Sequence, residues 1–216
     1  MQLRTRTVRT TVVGAVALAA VGAGVVALSG SAQAGTEPPH GVAARQAAAA
    51  FLEPGDLPPA STDWTADPVA DGLPADLTCL VGTLPEENVQ HRQFRTELDT
   101  NATQVIVEAD DEQAARQLLA NTEDALRECA DAYDAMYPDG DFTGKDYGAV
   151  NAGDAAHVYG LESEFAHGSL DAHLFGVGRD GTRVTVTVLG QLGRLSDTPV
   201  EEFKDTTRVS VTKLAG

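Results

Sequence analysis

The sequence predicts an α+β domain in which helices pack on a twisted antiparallel sheet and one disulfide joins the two layers. Three observations point to this fold class. One stretch in the middle of the chain has apolar residues at the helical period, and stretches on both sides of it alternate apolar and polar residues. The chain also has two cysteines, Cys79 and Cys129, one of them within the helical stretch.

The central helix is expected over residues 110–133. Asp110 is placed to cap its first turn, and Gln113, three residues later, can reach back to complete a capping box. One face is apolar apart from a threonine, and an apolar stripe of this kind packs on a sheet or another helix. The stripe consists of Ala115, Leu118, Leu119, Thr122, Leu126, Cys129 and Tyr133.

Strands are predicted on both sides of this helix. Before it, residues 77–81 form a short strand carrying Cys79, and residues 92–99 and 103–108 form a hairpin. After it, residues 137–144 read as a loop and residues 145–156 show little pattern. Residues 157–165, 170–177 and 183–189 then alternate as strands, and Asp180-Gly181 marks a tight turn between the last two.

The chain is expected to end in a helix. Thr198, Pro199 and Glu201 provide a cap, a first-turn proline and an acid at the third position. The apolar face of this helix comprises Val200, Phe203, Thr207, Val211 and Leu214. Residues 208–214 also alternate, so a strand at the C-terminus is the alternative.

The N-terminus has the pattern of a secretory signal peptide. Arg4, Arg6 and Arg9 precede an apolar run, and Ala32-Gln33-Ala34 is a small-x-small cleavage site. We therefore expect residues 1–34 to be removed, residues 35–41 to be a flexible lead, and residues 42–216 to form one secreted, extracellular domain. Two cysteines in an exported chain indicate a Cys79–Cys129 disulfide.

Charge limits the possible partners. Cleavage would remove three of the 15 basic residues and none of the 32 acidic ones, which leaves a net charge of −20. Such a surface repels nucleic acid and anionic lipid, and it attracts cations and basic partners. We expect a monomer, no membrane association after cleavage, and an unknown small molecule or extracellular protein as the partner.

The residues before the first strand give two further predictions. Residues 42–52 are rich in alanine and read as a helix that ends before Pro54. Residues 56–75 contain four prolines and should be irregular. Trp64 in this segment either anchors the loop to the core or stacks on a ligand.

The chain resembles the PknH-like extracellular sensor domains of bacteria. The resemblance rests on the alanine-rich helix that leads into residues 50–58, on Trp64, on the strand and helix over 104–119, and on Cys79 and Cys129. It implies a twisted antiparallel sheet with helices and a cleft, and a role in binding or sensing an extracellular ligand. Kinase-linked members commonly have two disulfides, whereas this chain can form one. We expect any signalling to require a partner.

Polar groups converge at one predicted hairpin. If His167-Gly168 is a two-residue turn, Glu164 faces Asp171 and Glu162 faces His173, and all four side chains share one face. Like charges directly opposite each other indicate either a solvated edge or a patch that binds a cation or a basic ligand. A one-residue change of register would divide this patch between the two faces.

Two catalytic or metal-binding patterns are weak. Residues 139–144 resemble the start of an EF-hand loop, but Val150 stands where the bidentate glutamate belongs. His167, Ser169, Asp171 and His173 lie on one strand, where residues two apart are about 6.6 Å apart and project in parallel rather than forming a triad. We predict no catalytic residue, no metal and no cofactor.

The sequence therefore favours an exported, non-catalytic domain of the sensor type that binds a ligand or a partner in a cleft on its sheet. Five residues are its candidate ligand contacts: Trp64, Glu162, Glu164, Asp171 and His173. The alternative is an exported hydrolase or metal-dependent enzyme that uses the Glu162, Glu164, Asp171 and His173 patch. A third possibility is a structural or inhibitory protein acting through its acidic surface.

Overall fold

The computed structural model describes residues 50–216. The predicted signal peptide, the lead over 35–41 and most of the helix over 42–52 lie outside the described residues. Residues 50–52 are in a turn and a bend rather than a helix, immediately before a 3-10 turn at Pro54–Asp56. Within residues 50–216 no helix is both long enough and apolar enough to cross a bilayer.

The described residues form one antiparallel sheet of eight strands with two helices packed on it, which confirms the predicted fold class. The strand order is β1-β3-β4-β8-β7-β6-β5, and β2 pairs with β3. The strands are β1 Thr65–Ala66, β2 Ala70–Asp71, β3 Val89–Arg95, β4 Asn101–Glu108, β5 Asp141–Ala149, β6 Ala155–Glu164, β7 Leu170–Asp180 and β8 Arg183–Leu192. The helices are α1 Glu112–Met136 and α2 Val200–Thr212, and further 3-10 turns lie at Leu195–Asp197 and Lys213–Ala215.

Helix α1 covers one face of the sheet, called here the α1 face. The predicted stripe is the buried one: Ala115, Leu119, Thr122, Leu126 and Cys129 are buried, and Leu118 and Tyr133 pack at its margin. The cap lies one residue later than predicted. Asp111, rather than Asp110, accepts a hydrogen bond from the backbone N–H of Ala114 at 2.8 Å.

The Cys79–Cys129 disulfide is present, but the segment that carries Cys79 is not the predicted strand. Residues 78–83 form consecutive turns, and Cys79 has a φ of 68°. Leu77 and Leu80 are both buried, a spacing of three that an extended strand would direct to opposite sides. The disulfide therefore holds a turn-rich segment, residues 73–84, against α1; we call it the cross-linked segment.

Helix α2 covers the opposite face, called here the α2 face, and its helical conformation continues to Thr212, so the alternative of a C-terminal strand is wrong. Pro199 occupies the cap position, and the Thr198 hydroxyl instead donates to the Leu195 carbonyl at 2.7 Å. Two glycines of β7 let the helix approach the sheet closely. The Thr207 side chain lies where a side chain at Gly176 would be, and the Val211 side chain lies where a side chain at Gly178 would be.

Sequence reasoning missed three strands: the two-residue strands β1 and β2, within the segment 56–75 that was expected to be irregular, and the longer strand β5. The residues read as a loop over 137–144 and as patternless over 145–156 contain β5, the edge strand. Only Phe142 of this strand is buried, and a bulge separates Asp146 from Gly148. An exposed edge strand with an interrupted register has no regular alternation of apolar residues to reveal it.

The disulfide should contribute much of the stability. Replacing Cys79 and Cys129 together by alanine removes a cross-link that spans 50 residues. The chain-entropy model assigns such a loop about 4 kcal/mol. We expect a clear fall in the urea midpoint of the double variant. Labelling of the unfolded, unreduced wild type should find no free thiol, and two reactive thiols would contradict the pairing.

Adding a methyl group at Gly176 should loosen α2. Because the new Cβ would overlap the Thr207 side chain, we expect Gly176→Ala to lower the free energy of unfolding by about 1–3 kcal/mol. Gly55→Ala is the matched control, since nothing lies within 4 Å of a Cβ at that position. Equal denaturation midpoints for the two variants would contradict the close approach of α2.

Candidate functional site

The β6–β7 hairpin has a different register from the predicted one. Ser163, not Glu164, pairs with Asp171, and Ala172, not His173, pairs with Glu162. The turn is the cause: the Phe165 N–H donates to the Ser169 carbonyl, which leaves a turn of three residues, 166–168, rather than two. Gly168 adopts a φ of 91°, as such turns require at their left-handed position. The predicted pairing is wrong by one residue.

This shift divides the predicted patch between the two faces. Glu162 and Glu164 lie on the α2 face, and Asp171 and His173 lie on the α1 face. Glu162 accepts hydrogen bonds from the Arg194 guanidinium and from the Leu195 N–H, both at 2.8 Å. It therefore holds the segment that follows β8. The four residues do not form one site, and no group of three or more His, Cys, Asp or Glu among residues 50–216 could hold a metal ion.

Trp64 anchors its loop, as one of the two predictions stated. It is half-buried on the α2 face, packs against two of the apolar clusters there, and donates from Nε1 to the Pro58 carbonyl at 2.8 Å. It also lines a cleft of about 590 Å³ beside Leu98 and Leu192, both more than half exposed. A ligand-stacking role for Trp64 stays a prediction.

His173 belongs to a different cleft, on the α1 face. The pairing of β3, β4, β8 and β7 places Arg95, Asn101, Gly190 and His173 in one row across the sheet. A cleft of about 360 Å³ lies over this row, with Asp76 and Thr78 of the cross-linked segment also in its lining. We call it the His173 cleft.

Many polar groups of the His173 cleft have no partner in the protein. Six lining side chains make no hydrogen bond to another residue of 50–216: Asp76, Thr78, Gln93, Asn101, Thr103 and His173. Together they offer a carboxylate, two amides, two hydroxyls and an imidazole. Such groups are available to bind a ligand or water.

The missing side chain of Gly190 lets two side chains that line the cleft, His173 and Asn101, approach each other. A Cβ at this position would lie 3.2 Å from Cδ2 and 3.3 Å from Nε2 of His173. It would also lie 3.3 Å from Oδ1 of Asn101. The imidazole and the amide therefore converge from two neighbouring strands on one point above Gly190.

The imidazole of His173 is held in its neutral form. Burial lowers its pKa, and the nearby carboxylates of Asp171 and Asp76 oppose that shift without cancelling it. Nδ1 is fully buried and has no hydrogen-bond partner among residues 50–216. Because a buried N–H without an acceptor costs about 1–3 kcal/mol, we assign Nδ1 as the bare nitrogen and Nε2 as the N–H donor.

An ion pair closes one side of the cleft. The Arg95 Nη1 contacts both carboxylate oxygens of Asp67, at 2.6 and 2.5 Å. The guanidinium charge is therefore compensated within the protein. Asp76, which is solvent-exposed, forms no salt bridge with any described residue, so the lining has one carboxylate without a cationic partner in the protein.

The sequence analysis proposed His173 as a candidate ligand contact and proposed none of the other residues that line this cleft. Gln93, Arg95, Asn101 and Thr103 alternate along β3 and β4, a pattern that is equally typical of a solvated face. Comparisons with models of protein families, with curated proteins and with solved structures found no match. The site is therefore defined by its geometry and chemistry alone.

Stability should depend on pH through His173. Because the pKa of His173 is lowered by folding, the unfolded chain binds a proton below about pH 6.5 that the native chain does not. The wild type should lose free energy of unfolding as the pH falls through this range, by at most about 1.4 kcal/mol per pH unit. The His173→Asn variant should lose less free energy of unfolding over this pH range. The His167→Asn variant, which changes an exposed position of the turn, should lose as much as the wild type. Parallel curves for all three proteins in urea titrations between pH 7 and pH 5 would contradict the buried neutral imidazole.

Proposed function

We propose that this protein is an exported, non-catalytic ligand-binding domain of the sensor type and that the His173 cleft is its binding site. The observation that carries the proposal is the convergence of six unpartnered polar side chains in one concavity of about 360 Å³. Small-molecule sites have volumes of roughly 300–1,000 Å³ and a few convergent polar groups. The His173 cleft has both properties.

The groups in the cleft suit binding better than covalent chemistry. An activated nucleophile needs a hydroxyl or thiol hydrogen-bonded to a base. Thr78 and Thr103 supply hydroxyls, but neither is hydrogen-bonded to His173 or to any other residue of 50–216. Both cysteines are joined in the disulfide. The polar groups therefore serve as donors and acceptors for a bound molecule.

The sequence supports an extracellular location for this function. The N-terminal basic, apolar and small-residue pattern is that of an exported chain, and a disulfide forms most readily outside the cytosol. The resemblance to PknH-like sensor domains, which are thought to bind extracellular ligands, agrees with a cleft on an antiparallel sheet.

The proposal is tested by native mass spectrometry of the protein secreted by its own host. Wild-type protein should begin at Gly35 and should carry a small molecule that is released on denaturation. Gly190→Val, whose side chain would displace His173 and Asn101, should lose that molecule, and Gly55→Val, which meets no atom within 4 Å of its Cβ, should keep it. Retention of the same molecule by Gly190→Val would show that it binds elsewhere.

A second measurement covers a ligand too weak to survive purification. The imidazole resonances of His173 should shift when the small-molecule fraction of the culture medium is added, and those of exposed His167 should not. If no molecule is retained and the His173 resonances do not respond to this fraction, the proposed function is wrong.

A further inference from the structure

We propose that the ligand of the His173 cleft carries a cationic amine together with hydroxyl groups, as a hydroxylated amine of about monosaccharide size does. This inference rests on the proposed function and adds the chemical class of the ligand. It follows from the charge of the cleft, from the kind of polar groups that line it, and from its size.

The charge of the cleft selects a cation. Three ionic side chains line it, and Arg95 and Asp67 compensate each other through their 2.5 and 2.6 Å contacts. The third, Asp76, has no cationic partner among the described residues. His173 adds no positive charge, because burial lowers its pKa. A ligand ammonium group would supply the missing partner of the Asp76 carboxylate in a charge-assisted hydrogen bond.

The remaining polar groups match hydroxyl groups. The amides of Gln93 and Asn101 and the hydroxyls of Thr78 and Thr103 can each donate and accept hydrogen bonds. A hydroxyl group also donates and accepts, so a hydroxylated ligand can satisfy such a lining, whereas an anion could use only its donors. The Nε2 N–H of His173 provides one further donor above Gly190.

The size of the cleft and the charge of the whole chain agree with this class. A volume of about 360 Å³ lies near the lower end of the range for small-molecule sites, which suits one sugar-sized ring rather than an oligomer. The formal net charge of −17 for the full sequence produces a field that concentrates small cations near the protein. The negative field disfavours an anionic ligand such as a phosphate or a carboxylate.

Glucosamine, glucose and N-acetylglucosamine are the probes that test the amine. They share one ring, and only the first has a cationic group. We expect glucosamine to shift the His173 imidazole resonances and to bind at least about tenfold more tightly than the other two, because only its ammonium group can form a charge-assisted hydrogen bond with the Asp76 carboxylate. Its affinity in calorimetric titrations should also fall when the salt concentration is raised.

The variants Asp76→Asn and Asp76→Ser should abolish this preference. Two substitutions are used so that at least one folded variant lacks the carboxylate. Asp180→Asn makes the same change of charge at the far end of β7, about 23 Å from His173 along the strand. It should retain the wild-type preference for glucosamine.

The possible results separate the two proposals. Equal binding of the three sugars, or a preference that survives removal of the Asp76 carboxylate, would overturn the amine and leave the cleft as the binding site. No response of His173 to any sugar, with a response to the medium fraction, would overturn the whole ligand class proposed here. No response to either would overturn the class and the binding function together.

Discussion

The fold depends on strands β7 and β8 being covered on both faces at once. Phe175 and Val177 of β7 pack under α1, while Gly176 and Gly178, which alternate with them, receive α2. Residues 184–190 of β8 are buried without interruption, which is typical of a strand enclosed on both sides. Each helix packs directly on this central pair of strands. The register of β7 with β8 therefore determines which side chains of the two strands lie outside the area that the helices cover. His173, in pairing with Gly190, is one of these.

The other wall of the cleft is held by a different kind of interaction. The cross-linked segment pairs with no strand of the sheet, and two successive turns, Leu80 N–H to Leu77 carbonyl and Thr83 N–H to Leu80 carbonyl, give it local order. Its leucines join the apolar cluster under α1, and the disulfide fixes it to the helix. Asp76 and Thr78 are therefore positioned relative to the sheet by α1, because the cross-link to the helix is at Cys79, the residue after Thr78.

Patterns that are local in the sequence predicted most of the architecture. The apolar stripe of α1 reflects one buried face of a helix, and the alternating apolar residues of β8 reflect a buried strand. Both patterns can be recognised in short stretches of the sequence. Failures occurred where a local pattern has two solutions. A turn after Phe165 can close with two or three residues, and the choice moves Asp171 relative to Glu162 and Glu164. The segment of Leu77 and Leu80 is a similar case. Its apolar composition is compatible with a strand, whereas the spacing of three between its two buried leucines is compatible with a turn.

The candidate site could not be predicted from the sequence, because it is defined by strand order. Asn101, Gly190 and His173 belong to three strands whose order in the sheet differs from their order in the chain. The charge of each strand and its alternation of apolar and polar residues are compatible with other strand orders in the sheet. His173 was selected from the sequence for its neighbours at the hairpin, whereas in the structure its relevant neighbours come from β4, β8 and the cross-linked segment.

The glycines of the two central strands serve two different kinds of contact. At Gly176 and Gly178 the absent side chain is replaced by Thr207 and Val211, so these glycines serve the docking of α2. At Gly190 no apolar side chain fills the space. Two polar side chains, His173 and Asn101, converge on it from the neighbouring strands instead. At Gly176 and Gly178 the absence of a Cβ serves the packing of α2, whereas at Gly190 it lets the polar side chains of His173 and Asn101 approach each other.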